Sequence, residues 1–277
     1  MTRTRFTDVD VAAFEPSEKI ALVATLDDHG EPHVTLLTTL TTLGPTGLTI
    51  GEFSRGWSKD FMARRPKVGF LMMGLDRRIW RGRALWRRSA EDGPEYVKYN
   101  KQPMFRYNTY FGVNTVHYLD LVDVEGPRPL PMAGIVVSTV ATTLLAVGTR
   151  PPSPPPVLPP LARAILDSAS TLTFLAHVDA DGHPRLVPVV QARSAGPSRV
   201  VFTAGPWGRE VRAIPAGTRT AVFSMNLAME SFLGRGRFGA LRGRSLFAVD
   251  LDFLYDSAPP AHGQVYPPVP LQPRLDF

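Results

Sequence analysis

The residues best suited to chemistry lie in one short stretch, Phe53-Ser54-Arg55-Gly56-Trp57-Ser58-Lys59. It offers two hydroxyls, two cations and a glycine that lets the backbone come close to a ligand. It also stands where the pattern changes. Leu48 and Ile50 alternate as on a strand, whereas Trp57 and Phe61 are four apart, as on one face of a helix. A helix N-terminus carries unpaired amides and the positive end of a dipole, so it attracts phosphate. Ser58 and Lys59 are the candidate anion holders, with Arg55 and Arg64 as helpers. The competing reading is ordinary capping and solvation, for which serines and basic residues at a turn are also used.

Other chemistries have less support. His33 and His183 sit just past turn signals and read as exposed, solvated side chains; His177 is unplaced. His117, beside an aromatic-rich stretch, is the acid–base candidate. The absence of cysteine excludes disulfides and thiolate metal sites. No nucleophile elbow or phosphate-binding P-loop occurs, and no metal is expected.

The elements that must position these residues come in a repeated order. Shifting the numbering by 152 carries Asp27, Gly30 and Pro32 onto Asp179, Gly182 and Pro184. The same shift carries Gly44-Pro45 onto Gly196-Pro197, Gly56 onto Gly208, and Gly82-Arg83 onto Gly234-Arg235. Apolar positions follow: Leu26 with Val178, Leu48 with Val200, Ile50 with Phe202, Phe70 with Val222. An ungapped offset through turns and strand interiors points to an internal duplication.

Each copy reads as helix, three strands, short helix, further strands. Residues 8–20 form a short helix that stops near Pro16. KIALVATLDDHGEPHVTLLTTL is two strands about a turn whose positive φ falls on Gly30. LTIGEF is a third strand, VGFLMMG a fourth, RRIWRGRALWRR a fifth and TVHYLDLVDVEG the closing strand. AGIVVSTVATTLLAV, rich in β-branched residues, is expected to add one or two more. Residues 87–113 have no counterpart in the second copy and carry Tyr96, Tyr99, Phe105, Tyr107, Tyr110 and Phe111. They form either a lid over a planar ligand or the small core of an inserted hairpin. The expected organisation is a first domain at 1–150 containing that insertion, a proline-rich linker at 151–160, a second domain at 161–257 and a proline-rich tail at 258–277.

Composition agrees with two cores of ordinary size: 277 residues, 44% hydrophobic. The net charge of +6 is carried mainly by arginine, which suits bidentate contact with phosphate or carboxylate, since only five residues are lysine. So modest a charge reads as solvated surface, and no nucleic-acid partner is expected. The beginning, MTRTRFTDVDVAAF, has no apolar run of signal-peptide type. Residues 133–148 fall short of the roughly 20 that a spanning helix needs. A cytoplasmic protein without a membrane partner is expected.

Taken in order, the D-x-x-G-x-P turn, the strand leading into the Ser58-Lys59 helix closed by Pro66, and the strand holding Gly82-Arg83-Ala84 resemble the pyridoxamine 5′-phosphate oxidase-like family of FMN-binding split β-barrels. The resemblance spans about 17–86 and 170–253. It implies a mainly β (α+β) fold of two tandem split barrels with short helices, packed as an intrachain pseudo-dimer. It also implies FMN with its phosphate on Ser58 and Lys59, and the strand of Thr49, Ile50, Gly51 and Glu52 along the flavin edge. Arg81 and Arg83 would either face the same groove or serve as edge-strand charges that discourage aggregation. In the second copy Glu210 and Val211 stand at the Ser58 and Lys59 positions, so at most one intact flavin site is expected. The implied activity is an FMN-dependent oxidoreductase acting on a small organic substrate. Alternatives are a deazaflavin held by Arg77, Arg78 and Arg81, haem held by His117, or a non-catalytic flavin-binding protein. A further homodimer of the fused pair is left open.

Overall fold

A computed structural model describes residues 2–53, 56–101, 112–151, 154–256 and 263–269. The chain divides into two compact units, one of Met1–Leu130 with Ala176–Leu186, the other of Pro131–Leu175 with Val187–Phe277. It is mainly β. Two antiparallel sheets of eight strands each carry a few short helices.

The first sheet holds β1 (Thr2–Arg3), β2 (Lys19–Leu26), β3 (Pro32–Leu36), β4 (Thr41–Leu43), β5 (Gly47–Glu52), β6 (Lys67–Gly74), β7 (Arg78–Ala90) and β8 (Thr115–Pro129). Its order is β3-β2-β6-β7-β8-β5-β4, with β1 added to β8. The second holds β9 (Leu172–Val178), β10 (Pro184–Pro188), β11 (Arg193–Ser194), β12 (Arg199–Phe202), β13 (Arg219–Met225), β14 (Ser231–Leu241), β15 (Leu246–Asp256) and β16 (Gly263–Tyr266). Its order, β10-β9-β13-β14-β15-β12-β11 with β16 on β15, matches the first strand for strand. Among the described residues the α-helices are α1 (Asp8–Phe14), α2 (Trp57–Arg64), α3 (Pro94–Lys101), α4 (Met132–Ala146), α5 (Pro160–Asp167) and α6 (Gly208–Ala213), with short 3-10 turns at Gly205–Trp207 and Arg242–Arg244.

Local chemistry explains the boundaries. Gly30 takes φ 76° in the β2–β3 turn, a conformation that costs glycine little. Asp27 Oδ1 accepts the amides of His29 and Glu31, each at 2.9 Å, and so fixes that turn. A capping box starts α1: Asp10 donates its amide to Thr7 Oγ1, and the Asp10 carboxylate accepts the Thr7 amide. The same carboxylate is fully buried and takes hydrogen bonds from Arg3 at 2.6 Å and from the Trp80 indole at 2.8 Å. Burial pushes the Asp10 carboxyl up, but these donors together outweigh it and hold the group below the ordinary value of 3.8.

The first core gathers Phe14, Val23, Leu48, Ile50, Met62, Phe70 and Trp80 from α1, β2, β5, α2, β6 and β7. Phe70 lies opposite Gly82 across the β6–β7 ladder. A β-carbon at Gly82 would stand 2.2 Å from the Asp123 carbonyl oxygen and 2.5 Å from Phe70 Cζ. Only glycine lets β7 pass there.

Two sequence expectations give way. The run AGIVVSTVATTLLAV is helix α4, not strand. Its Thr142 hydroxyl accepts the Thr203 amide at 3.0 Å, and Arg242 donates to the carbonyls of Leu145 and Val147 at the helix end. These tertiary contacts override the β preference of its valines and threonines. Within the insertion the described residues Pro94–Lys101 form helix α3 rather than strand. Phe105, Tyr107, Tyr110 and Phe111 lie outside the described residues.

Candidate functional site

The β5–α2 junction brings the candidate residues together. Alternation along β5 sends Leu48, Ile50 and Glu52 to one side and Thr49 and Gly51 to the other. Ile50 is wholly in the core, and Glu52 closes that side of the strand at the mouth of α2. Gly56 is the N-cap of α2 and supplies no side-chain cap. The first-turn amides of a helix have no intrahelical carbonyl to bond, so this end presents donors.

Ser58, in the first turn, is 1% exposed. Lys59 is half-buried as a residue, and it is the ammonium end that lies inside: burial lowers its pKa below the ordinary 10.5, against the opposing pull of Glu52 and Asp60. Its Nζ lies 3.7 Å from where a β-carbon on Gly56 would be, so the chain folds back over the N-terminus of α2. A cation at the positive end of a helix dipole is unfavourable on its own and calls for an anion. Glu52 and Asp60 are the carboxylates of the protein that act on Lys59. A glycine cradle, an uncapped helix end and a drawn-in ammonium fit a phosphate group.

Glu52 is itself held. His117 Nε2 lies 2.8 Å from Glu52 Oε2, and the Trp86 indole N–H points at His117 Nδ1 at 3.2 Å. Because an indole nitrogen can only donate, Nδ1 must accept, which places the ring proton on Nε2 and directs it to Glu52. Both ring nitrogens are thereby engaged in a buried chain from Trp86 to Glu52. An axial bond from His117 to haem iron would break that chain.

The other face of β5 is covered. A β-carbon at Gly51 would stand 3.0 Å from Val113 Cγ2 and 3.3 Å from Tyr99 Cγ. The Tyr99 hydroxyl donates to the Thr39 carbonyl at 2.8 Å and so accepts from Thr49 Oγ1 at 2.9 Å. Burial is the main cause that pushes this phenol well above its usual pKa. Tyr99 joins Val113, Val116 and Tyr118 in a small core of its own. The strand that the resemblance lays along a flavin edge thus touches the protein's own aromatic segment at Thr49 and Gly51.

The remaining arginines are paired elsewhere. Arg64 bonds Asp28 at 2.8 Å on the surface and lies over the Phe61 ring. Arg81 reaches Glu125 at 3.2 Å. Arg83 pairs with Asp123 at 2.6 Å and with Asp181 at 2.8 Å inside the first unit. Neither is an edge-strand charge, because β7 lies between β6 and β8. Arg78 is paired with Asp76. Arg55 lies outside the described residues. His33 and His183, expected to be solvated, are 3% and 7% exposed. His33 packs against the rings of Trp57 and Phe61, and burial followed by the nearby Arg83 charge keeps the His183 pKa below 6.5.

Trp86 is the member that sequence reading missed, and the same reading names Tyr99 without its bond to β5. Alternation along β7 marks Trp86 as an inward position, but only the β7–β8 pairing reveals its partner. In the second unit Val211 is fully buried, and Glu210 stands in the first turn of α6. Among the described residues no cluster of three or more His, Asp or Glu could hold a metal ion. No helix among them is long and apolar enough to cross a membrane.

No protein-family model matches the chain, and neither does any curated protein. Solved structures do. A provisionally named pyridoxamine 5′-phosphate oxidase from Lactobacillus delbrueckii is 22% identical over 45% of this chain and 96% of its own, with a TM-score of 0.35. An FMN-binding protein from Syntrophomonas wolfei is 12% identical over 44% of this chain and 85% of its own, at 0.38. An F420 reductase is 17% identical over 43% of this chain and 98% of its own, at 0.35. What this chain is similar to, over somewhat less than half of its length at a time, is therefore a set of small proteins whose names include an FMN binder and an F420 reductase.

Proposed function

We propose that this chain binds FMN through its phosphate at the β5–α2 junction of the first unit and serves as a flavin-dependent oxidoreductase for a small organic substrate. One observation carries the reading: the Lys59 ammonium is drawn in over the glycine-capped N-terminus of α2. Lys59 supplies the charge, the Ser58 hydroxyl and the first-turn amides supply the directed hydrogen bonds, and Gly56 gives the clearance. The Trp86–His117–Glu52 chain holds the neighbouring carboxylate in a fixed place, so that the ammonium is oriented before the anion arrives. When bound, FMN would supply the hydride or electron chemistry, and the protein's part is to hold it and exclude water.

Deazaflavin and haem receive less support from these residues. Arg78 and Arg81 are in ion pairs, and His117 has both ring nitrogens engaged.

The visible absorption spectrum of the purified protein, followed by release and identification of any chromophore, tests the proposal. Flavin bands with roughly one FMN per chain support it. A Soret band, or a colourless protein that takes up no added FMN, refutes it. A flavin-loaded protein that no reductant or substrate reduces would retain the binding claim and remove the oxidoreductase.

A further inference from the structure

Helix α4 is apolar on its inward and its outward side. It packs on the second unit through Ile135, Thr142, Leu145 and Ala146 and still turns a second set of branched apolar residues to water. Ile135 and Thr142 are its buried side chains. Thr142 and Thr203 hydroxyls lie 3.0 Å apart, and the Thr203 hydroxyl donates to the Ser138 carbonyl at 3.2 Å. On the opposite side Val137 is 70%, Val140 57%, Leu144 69% and Val147 72% exposed. Met132 and Val136 flank them, also exposed. The sequence has no charged residue between Arg128 and Arg150. A soluble helix normally turns a polar face to water, and a contiguous apolar patch of this kind marks an interaction surface.

The spacing names the kind of partner. Ala133, Val137, Val140, Leu144 and Val147 follow one another at intervals of four, three, four and three. That is the seam of a helix pair, with branched residues available for knobs-into-holes packing. We infer that α4 is a self-association surface, and that a second copy of this chain covers it by pairing α4 with α4 antiparallel about a two-fold axis at Val140. About that axis the ends and the centre of the seam match, since Ala133 and Val147 each stand seven residues from Val140. The small Ala133 meets the larger Val147 of the partner copy, Val140 meets itself, as an isologous contact requires, and Val137 and the partner's Leu144, three and four residues from the axis, pack side by side. An interface without charges carries no like-charge repulsion. The exposed apolar side chains of α4 present on the order of 600 Å² per copy, most of the roughly 800 Å² per partner that a standard stable interface buries. A membrane surface fits less well, because an interfacial helix combines its apolar face with a charged one and α4 has none. The inference is independent of the flavin reading.

The chain contains no cysteine, so single introduced thiols report contacts without background. Sedimentation equilibrium of the unaltered protein should show a concentration-dependent dimer. Val140→Glu, at an exposed position, should make it monomeric while leaving its circular dichroism unchanged and its melting temperature independent of protein concentration. Under mild oxidation Val140→Cys should give a covalent dimer. Ala133→Cys alone should not, and Ala133→Cys combined with Val147→Cys should. A protein monomeric at every concentration would overturn the inference, as would a dimer indifferent to Val140→Glu. Ala133→Cys cross-linking to itself as readily as Val140→Cys would overturn the antiparallel register. Monomers that co-sediment with phosphatidylglycerol vesicles through the Val140 face would give the surface to lipid instead.

Discussion

Lys59 concentrates the account at the scale of one residue. Its ammonium is drawn in at a place where burial disfavours the charge, and a bound phosphate dianion would favour it again. Lys59→Glu is therefore expected to abolish FMN retention, read by quenching of flavin fluorescence. Charge-assisted hydrogen bonds of this kind contribute about 1.5–3 kcal/mol each, so the loss should exceed about tenfold in affinity. Converting Val211 to Lys should not create a second tight site, because that side chain is fully buried on α6. The sign of the pH dependence follows from the depressed pKa. The folded protein releases the Lys59 proton below 10.5, whereas the bound anion retains it. FMN affinity should fall as pH rises, with the decline beginning below 10.5. Over the same interval the empty protein should gain stability, since the unfolded chain binds the extra proton. Titrations at a series of alkaline pH values check both. An affinity flat through that range would remove Lys59 from the site.

At the scale of elements, two positions decide whether the scaffold forms. Asp10 ties α1 to β1 and β7 through Arg3 and Trp80. Asp10→Asn should cost about 2–3 kcal/mol in urea denaturation, because buried donors lose a charged acceptor. The stability that this carboxylate contributes is present above its unfolded pKa of about 3.8 and is lost as pH falls through its lower folded value. The variant should therefore narrow the gap between neutral and acid stability. Gly82→Ala should be worse, at more than about 3 kcal/mol, because the new methyl would collide with the Asp123 carbonyl.

These elements also show what the chain discloses before it folds. The β2–β3 turn was legible because Asp27 and Gly30 have local jobs. Helix α2 was legible from the switch of period at Trp57 and Phe61. The Ser58-Lys59 cluster could be read as a helix N-terminus on the same grounds. Helix α4 was not legible, since its valines and threonines favour strands and its helical state depends on Thr203 and Arg242, far away in sequence. Nor was the Glu52–His117–Trp86 chain. It depends on the register of β5 against β8 and of β8 against β7, and composition does not carry register. His33 and His183 follow turns, yet rings and charges from other elements cover them.

At the scale of the molecule, the two sheets share one strand order while their corresponding helix starts differ in chemistry. One carries Ser58 and Lys59, the other Glu210 and Val211. One flavin per chain is the expected stoichiometry. The measurement that bears most directly on the central claim compares FMN with riboflavin, which has the same ring system without the phosphate. Both are titrated into apoprotein by fluorescence quenching, for the unaltered chain and for Lys59→Glu. The account predicts one FMN per chain, bound at least tenfold more tightly than riboflavin, with that preference erased in the variant. Equal affinity for the two ligands, or a preference for FMN that survives Lys59→Glu, would contradict it.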